Sequence, residues 1–261
     1  MQIIRSLVFN VAMYVWMAVL GLVYAPWAIV SPAGARAACD TYARHVRRML
    51  VHIVGLRTEI RGMPPEGAAL VASKHQSFLD ILVLWDALPR GFFVMKSILR
   101  YAPVLGQYAL RLGCIPVHRG RRADAIKRML TEVRSGRRES GQLLIYPQGT
   151  RVAPGTTAPY KIGTFVLYEQ LGQPCVPVAT NVGLFWPKRG VLRRPGLGVV
   201  EFLEPIQPGL DRTTFMRLLE ERIERASNRL LEEAGFPVAD LPATRGDPIA
   251  ETARRVARPD A

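Results

Sequence analysis

A histidine five residues ahead of an aspartate, at the junction of an apolar stretch and a helix, can build a general base. His75 stands at such a junction in ALVASKHQSFLDILVLW, with Asp80 following it. Ser77 and Asp80 fit an S-x-x-D capping box, which gives Asp80 a structural role at the helix N-terminus worth about 0.5–2 kcal/mol. The same spacing lets His75, just outside the turn, fold its imidazole back onto the Asp80 carboxylate. Such a pair holds the proton on the nitrogen facing Asp80 and leaves the other nitrogen free as a base. Cap and dyad both stand as expectations. In LLIYPQGTRV a strand runs into Tyr146-Pro147-Gln148-Gly149-Thr150-Arg151. Gly149 permits an unusual backbone turn, and Arg151 presents a fork of donors suited to phosphate. GCIPVHRGRR likewise runs from an apolar strand into cations, with Arg119 at the exit. His75, Arg119 and Arg151 are therefore expected at one rim of a sheet, where α/β sites form.

Other reactive side chains are set aside. His45, His52 and His118 are read as non-catalytic, and Cys114 and Cys175, on apolar strands, as buried small hydrophobes. Three cysteines without a C-x-x-C make neither a disulfide scaffold nor a four-cysteine zinc site, and no metal site is expected. There is no G-x-S-x-G elbow and no G-x-x-x-x-G-K-S/T loop, so serine hydrolase and nucleotide kinase chemistry lack their usual support.

The elements that must position these residues alternate. Short apolar strands are expected near 56–61, 68–74, 91–96, 113–117, 142–146, 174–180 and 197–203. Helices are expected near 77–88, 97–111, 122–136, 161–171 and 212–234. This pattern predicts an α/β sheet covered by helices. Asp211 can cap the last helix, Phe215, Leu218, Leu219, Ile223, Ala226 and Leu230 form its apolar stripe, and Gly235 stops it. The expected division is an N-terminal helical anchor with a basic interfacial helix over 1–54, an α/β domain over 55–235, and a flexible tail over 236–261.

The 261 residues are 49% hydrophobic yet carry a net charge of +14. That apolar fraction excludes a disordered chain. Residues 6–35 contain no charge, and about 20 residues of helix cross ~30 Å of hydrocarbon. Pro26 and Pro32 mark a bend in this run. It is read as a membrane anchor, spanning or held in one leaflet. The alternative is a cleaved signal peptide, which its length disfavours. Arg36, Arg44, Arg47 and Arg48 follow the run and only Arg5 precedes it, so the remainder is expected on the cytoplasmic face. Tyr42, Val46, Met49 and Ile53 recur at helical spacing, as in a basic amphipathic helix lying on lipid; a core-facing helix is the alternative. Residues 89–138 hold twelve Lys or Arg against Asp124 and Glu132, and Lys188, Arg189, Arg193 and Arg194 cluster near Trp186. Basic faces beside an anchor suit phosphate-bearing lipids or a polyanionic cofactor. No helix-turn-helix, RNA-recognition aromatics or finger spacing occurs, so nucleic acid is not an expected partner.

Together these segments resemble the glycerolipid acyltransferase family, and within it the enzymes that acylate 1-acylglycerol-3-phosphate. His75-Gln-Ser-Phe-Leu-Asp80 matches the first motif, His-x4-Asp. VMKSILRYAPVLGQYALRLGCIPVHRG resembles the stretch into the second motif, with Lys96 and Arg119 in register. YPQGTR at 146–151 is similar to the third, and PYKIG at 159–163 and VPVA at 176–179 follow in order. Two departures stand out: His118 precedes Arg119 where the family often has an acid, and Gln148 replaces the third motif's glutamate. Glutamine keeps an acceptor oxygen and loses the charge.

The resemblance implies a glycerolipid-acyltransferase-like sheet covered by helices, and transfer of a fatty acyl group from a thioester to the sn-2 hydroxyl of a lysophospholipid. His75 and Asp80 would be catalytic, and Lys96 or backbone N–H groups near 77–79 would face the oxyanion. Arg119, Arg151 and Lys161 would hold the acceptor phosphate, with Gln148, Gly149 and Thr150 shaping the pocket. No cofactor is implied; the donor would be acyl-CoA or acyl carrier protein, and the partners would be membrane lipids and the lysolipid acceptor. The loss of charge at Gln148 keeps two alternatives open: a different lysophospholipid acceptor, or a decayed site on a protein that binds anionic lipid.

Overall fold

The structure is a computed structural model and describes residues 1–117 and 141–237. Three helices open the chain: α1 (Gln2–Val23), α2 (Ala25–Val30) and α3 (Pro32–Met49), the last extended by a π-helical turn, Leu50–Val54. Pro26 lies in the first turn of α2 and Pro32 in that of α3. Each proline has no N–H to lose there and starts a new direction, as the sequence implied.

Seven strands follow, β1 (Leu56–Arg61), β2 (Ala69–Ser73), β3 (Gly91–Lys96), β4 (Ile115–Val117), β5 (Gln142–Ile145), β6 (Cys175–Thr180) and β7 (Gly196–Phe202). They form one sheet in the order β1-β7-β6-β2-β5-β3-β4, parallel except where β6 meets β7. All seven expected strands are present. Helices α4 (Leu79–Ala87), α5 (Leu105–Arg111), α6 (Gly163–Leu171) and α7 (Arg212–Glu233) complete the described chain.

Alternation along β2 shows why the molecule has three layers. Ala69 and Val71 join a cluster with Leu79 and Val83 of α4 and Val46 and Leu50 of the α3 segment. Leu70 and Ala72 point the other way, against Leu167 of α6 and Phe215, Leu219 and Ile223 of α7. Successive strand side chains face opposite sides, so a strand apolar at every position must be covered on both. Cys175 is fully buried, and Cys114 nearly so, as hydrophobes.

Two expectations are corrected. The helix expected over 97–111 is split into a 3-10 turn, Ser97–Tyr101, and α5, because Pro103 disfavours helical backbone in the residue before it. The helix at 40–54 does not lay its apolar face on lipid. Ala43, Val46, Leu50 and Val54 are buried against the sheet, Tyr42, Met49 and Ile53 pack beside them, and Arg47 pairs with Asp86. The core offers that stripe a drier site than the interface, and Arg44, Arg48, Val51 and His52 stay exposed. The helix expected at 122–136 lies outside the described residues, as does the tail beyond residue 237.

Helix α1 is long and apolar enough to cross a membrane, yet one face of it is built into the protein. Phe9 and Met13 belong to the main core, with Phe9 edge-on to Trp186 at 5.4 Å. Ser6 accepts from the Arg193 backbone N–H at 2.8 Å, and Gln2 and Asn10 donate to the carbonyls of Arg193 and Val191. Arg193 is thereby removed from the expected surface cluster: it is buried, lies over the Trp186 ring at 4.7 Å, and burial lowers its pKa. The opposite face of α1, with Ile4, Leu7, Val8, Val11 and Val15, is exposed, and Trp27, Ile29 and Val30 of α2 continue it. His45 accepts from the Trp16 indole through Nδ1 at 2.9 Å, which fixes its tautomer in a bridge between α1 and α3.

Removing Phe9 therefore opens the core. Phe9→Ala is expected to lower the unfolding free energy by about 3–5 kcal/mol in a denaturant titration, whereas Val11→Ser on the outer face leaves it within about 0.5 kcal/mol.

Candidate active site

Strands β2 and β5 are adjacent and parallel, with Ala72 level with Ile145. Their carboxyl ends thus deliver His75 and Tyr146 to the same rim. The connection is laced by the Val152 N–H, which donates to the His75 carbonyl at 2.7 Å. Strand β3 lies on the other side of β5 and β4 beyond it, with Lys96 level with Val117. Lys96 and the exit of β4 therefore reach this rim by their backbone. The Lys96 side chain, Arg119 and His118 lie outside the described residues.

The His75–Asp80 pair forms. His75 Nδ1 is 2.9 Å from Asp80 Oδ1, and Asp80 is fully buried while the His75 side chain keeps 14% exposure. A carboxylate only accepts, so the proton lies on Nδ1 and Nε2 carries the free lone pair. Asp80 Oδ2 accepts from the backbone N–H groups of Gln76 and Ser77 at 2.9 and 2.8 Å. Ser77 Oγ accepts from Leu79 N at 3.1 Å. The helix itself starts at Leu79 with Phe78 at its N-cap, so the Ser77–Asp80 cap sits one residue ahead of it; that cap and the dyad are served by different oxygens of the same carboxylate.

Tyr146 completes it. Its ring stacks on the His75 imidazole with centroids 3.8 Å apart and planes 15° from parallel, and its hydroxyl donates to Asp80 Oδ1 at 3.2 Å. Burial first, and then the Asp80 charge, push the tyrosine's pKa well above its ordinary value, so the hydroxyl remains a donor. The imidazole is thus fixed in both plane and tautomer.

After β5 the chain turns, with Gly149 N–H donating to the Tyr146 carbonyl at 2.8 Å. Gly149 has φ +67°, and a Cβ there would stand 3.0 Å from Lys161 Nζ. The position needs glycine for its backbone, and a side chain there would also push the lysine laid over it. Lys161 N–H donates to the Pro147 carbonyl at 2.9 Å, which fixes the PYKIG segment against the turn. Arg151 is half-buried and Thr150 exposed, and Lys188 joins them, donating to the Arg151 carbonyl at 2.9 Å. Lys188 was legible only as one of a basic cluster; its contact with Arg151 spans 37 residues. Gln148 is buried, not presented to solvent. The arrangement places one neutral imidazole nitrogen beside a turn rich in cations, suited to removing a proton from a hydroxyl on a molecule that also bears phosphate.

Comparison with known proteins places this fold and rim beside acyltransferases. Residues 56–181 match the Acyltransferase family model, the family this segment is similar to. The 1-acyl-sn-glycerol-3-phosphate acyltransferase of Pseudomonas aeruginosa is 32% identical over 151 residues, 55% of this chain and 57% of that protein. The human 1-acyl-sn-glycerol-3-phosphate acyltransferase alpha is 33% identical over 171 residues, 60% of each. The matched regions thus span under two thirds of these relatives' length. The crystal structure of the 1-acyl-sn-glycerophosphate acyltransferase PlsC from Thermotoga maritima superposes with a TM-score of 0.72, covering 88% of this chain and 95% of that one at 19% identity. The fold expected from the sequence is the one observed.

Asp80 is predicted to matter for stability as well as chemistry. Asp80→Ala leaves the Gln76 and Ser77 N–H groups buried without an acceptor, at about 1–3 kcal/mol each, which equilibrium unfolding would register as a loss of about 2–6 kcal/mol.

Proposed function

We propose that the protein acylates the sn-2 hydroxyl of 1-acylglycerol-3-phosphate, using an acyl-thioester as donor and giving phosphatidic acid. The observation that carries this is the His75–Asp80 pair, with no hydrogen bond to Nε2 among the described residues, beside the turn that carries Arg151 and the Lys161 segment laid against it. In the reaction, His75 Nε2 takes the proton from the sn-2 hydroxyl as its oxygen attacks the thioester carbonyl. Asp80 stabilises the imidazolium. The tetrahedral intermediate collapses with cleavage of the C–S bond, and the proton passes from His75 to the departing thiolate. The products are the diacyl lipid and a free thiol. General-base assistance of this kind contributes on the order of 10²–10⁴ in rate.

Arg151 and Lys161 hold the acceptor phosphate, joined by Arg119. Of the N–H groups at 77–79, those of Ser77 and Leu79 are taken by Asp80 and Ser77, so the oxyanion role falls to the Phe78 N–H or the Lys96 ammonium. Gly149 and Thr150 shape the turn, and the donor is acyl-CoA or acyl carrier protein. The intact dyad favours an enzyme over a decayed lipid-binding protein, since a buried carboxylate and a stacked imidazole are kept in working register. The outer face of α1 and α2 associates with membrane, and because the inner face is bonded to the domain, the helix rests in one leaflet with the domain on the cytoplasmic side. The excess of arginine after residue 36 supports that orientation.

Purified protein given lysophosphatidate and an acyl-thioester should release thiol, and His75→Ala should lower kcat by about 10²–10⁴. Thiol release independent of His75, or none across several lysolipids, would remove the proposal. Arg151→Ala should raise KM for lysophosphatidate by about tenfold or more, because it withdraws a charged donor from the phosphate.

A further inference from the structure

Gln148, where the third motif departs from its family, belongs to a buried polar cluster anchored outside the family-matched segment. Its amide nitrogen is 3.3 Å from the Ala158 carbonyl and 3.4 Å from Glu224 Oε1. Both neighbours only accept, so the amide turns its NH2 toward them. Glu224 comes from the middle of α7 and is buried. Lys74 Nζ, 3% exposed, donates to both of its oxygens at 2.6 Å, and the Tyr160 hydroxyl donates to Oε1 at 2.8 Å. Burial first, and then the Glu224 charge, raise the Tyr160 pKa, which keeps that hydroxyl protonated.

The three partners are not scattered. Lys74 precedes His75, Gln148 lies in the turn that leads to Arg151, and Tyr160 precedes Lys161. One carboxylate thus binds the base, the turn and the lysine segment to the same helix. A glutamate at position 148 would set a second negative charge against the Ala158 carbonyl and Glu224, with no proton to offer either. Two buried carboxylates sharing one lysine are disfavoured. A glutamine at 148 with the carboxylate on α7 gives one negative charge for one positive.

We propose that Glu224 is the positioning carboxylate of the acceptor site, supplying from α7 the single negative charge of this cluster, with Gln148 as its neutral partner. This rests on the acyltransferase activity proposed above. Glu224 acts through Lys74, Gln148 and Tyr160, and so sets where His75, Arg151 and Lys161 stand.

The test is a cycle on the full chain: wild type, Gln148→Glu, Glu224→Gln and the double variant. Each single variant should raise KM for lysophosphatidate about tenfold or more while KM for the acyl-thioester changes less than about threefold. The double variant, with one carboxylate again, should return the acceptor KM to within about threefold of wild type. Thermal unfolding should follow the same pattern, with both single variants melting lower and the double melting above them. A purely structural role would lower the active fraction without singling out the acceptor's KM. A double variant no better than the worse single one overturns the proposal, and so does Glu224→Gln with wild-type acceptor KM. Should Glu224→Gln not fold, a folded and active double variant still supports the exchange, and an unfolded one counts against it. If wild type itself releases no thiol, the activity fails, while the melting cycle alone decides whether 148 and 224 exchange charge.

Discussion

The site is organised around a carboxylate with no access to water. Asp80 must find its hydrogen-bond donors inside the protein, since a buried anion left unpaired is strongly destabilising. It finds four: the backbone N–H groups of Gln76 and Ser77 in the turn before α4, the imidazole of His75 and the hydroxyl of Tyr146. Those donors come from β2, the β2–α4 turn and β5. Satisfying one charge thus fixes the relative placement of two adjacent strand ends and a helix, and the parallel register of β2 and β5 makes it possible. The chemistry of the rim follows from that arrangement.

A second buried charge supports the same rim from the opposite layer. Asp80 lies on the α4 side of the sheet, while Lys74 and Glu224 join the strand end to α7. The residues around His75 therefore have ionic attachments in both flanking layers. Paired and hydrogen-bonded buried charges are weak sources of net stability, but they are intolerant of displacement. That property suits a base that must hold its orientation while a substrate hydroxyl comes within reach.

The two motifs differ in how far local spacing could reveal them. His75 and Asp80 are five residues apart, and a cap and a dyad make the same demand on that turn, so both expectations hold together. Most strands were legible because they are short, apolar and bounded by turns or helices; β1, LRTEIR, carries three charges and shows only an alternation. The placement of α3 was not legible: an apolar stripe with arginines behind it looks alike whether its neighbour is a lipid or a sheet, and only the core's demand for cover decides. Glu224 was further out of reach. It lies 150 residues from Lys74, inside EERIERASNRLLEE, where nothing local separates the buried glutamate from its solvated neighbours. Lys74 itself carried a signal, since a lysine closing an apolar strand must find a counter-charge somewhere.

The two-faced packing of α1 means that the segment with the exposed apolar face and the segment completing the core are the same one. Deleting it to obtain a water-soluble protein would expose Met13's neighbours and strip Trp186 of its edge-on partner, trading one greasy surface for another. A soluble form has to be made by repainting the outer stripe, from Ile4 to Val15, and leaving the inner one untouched.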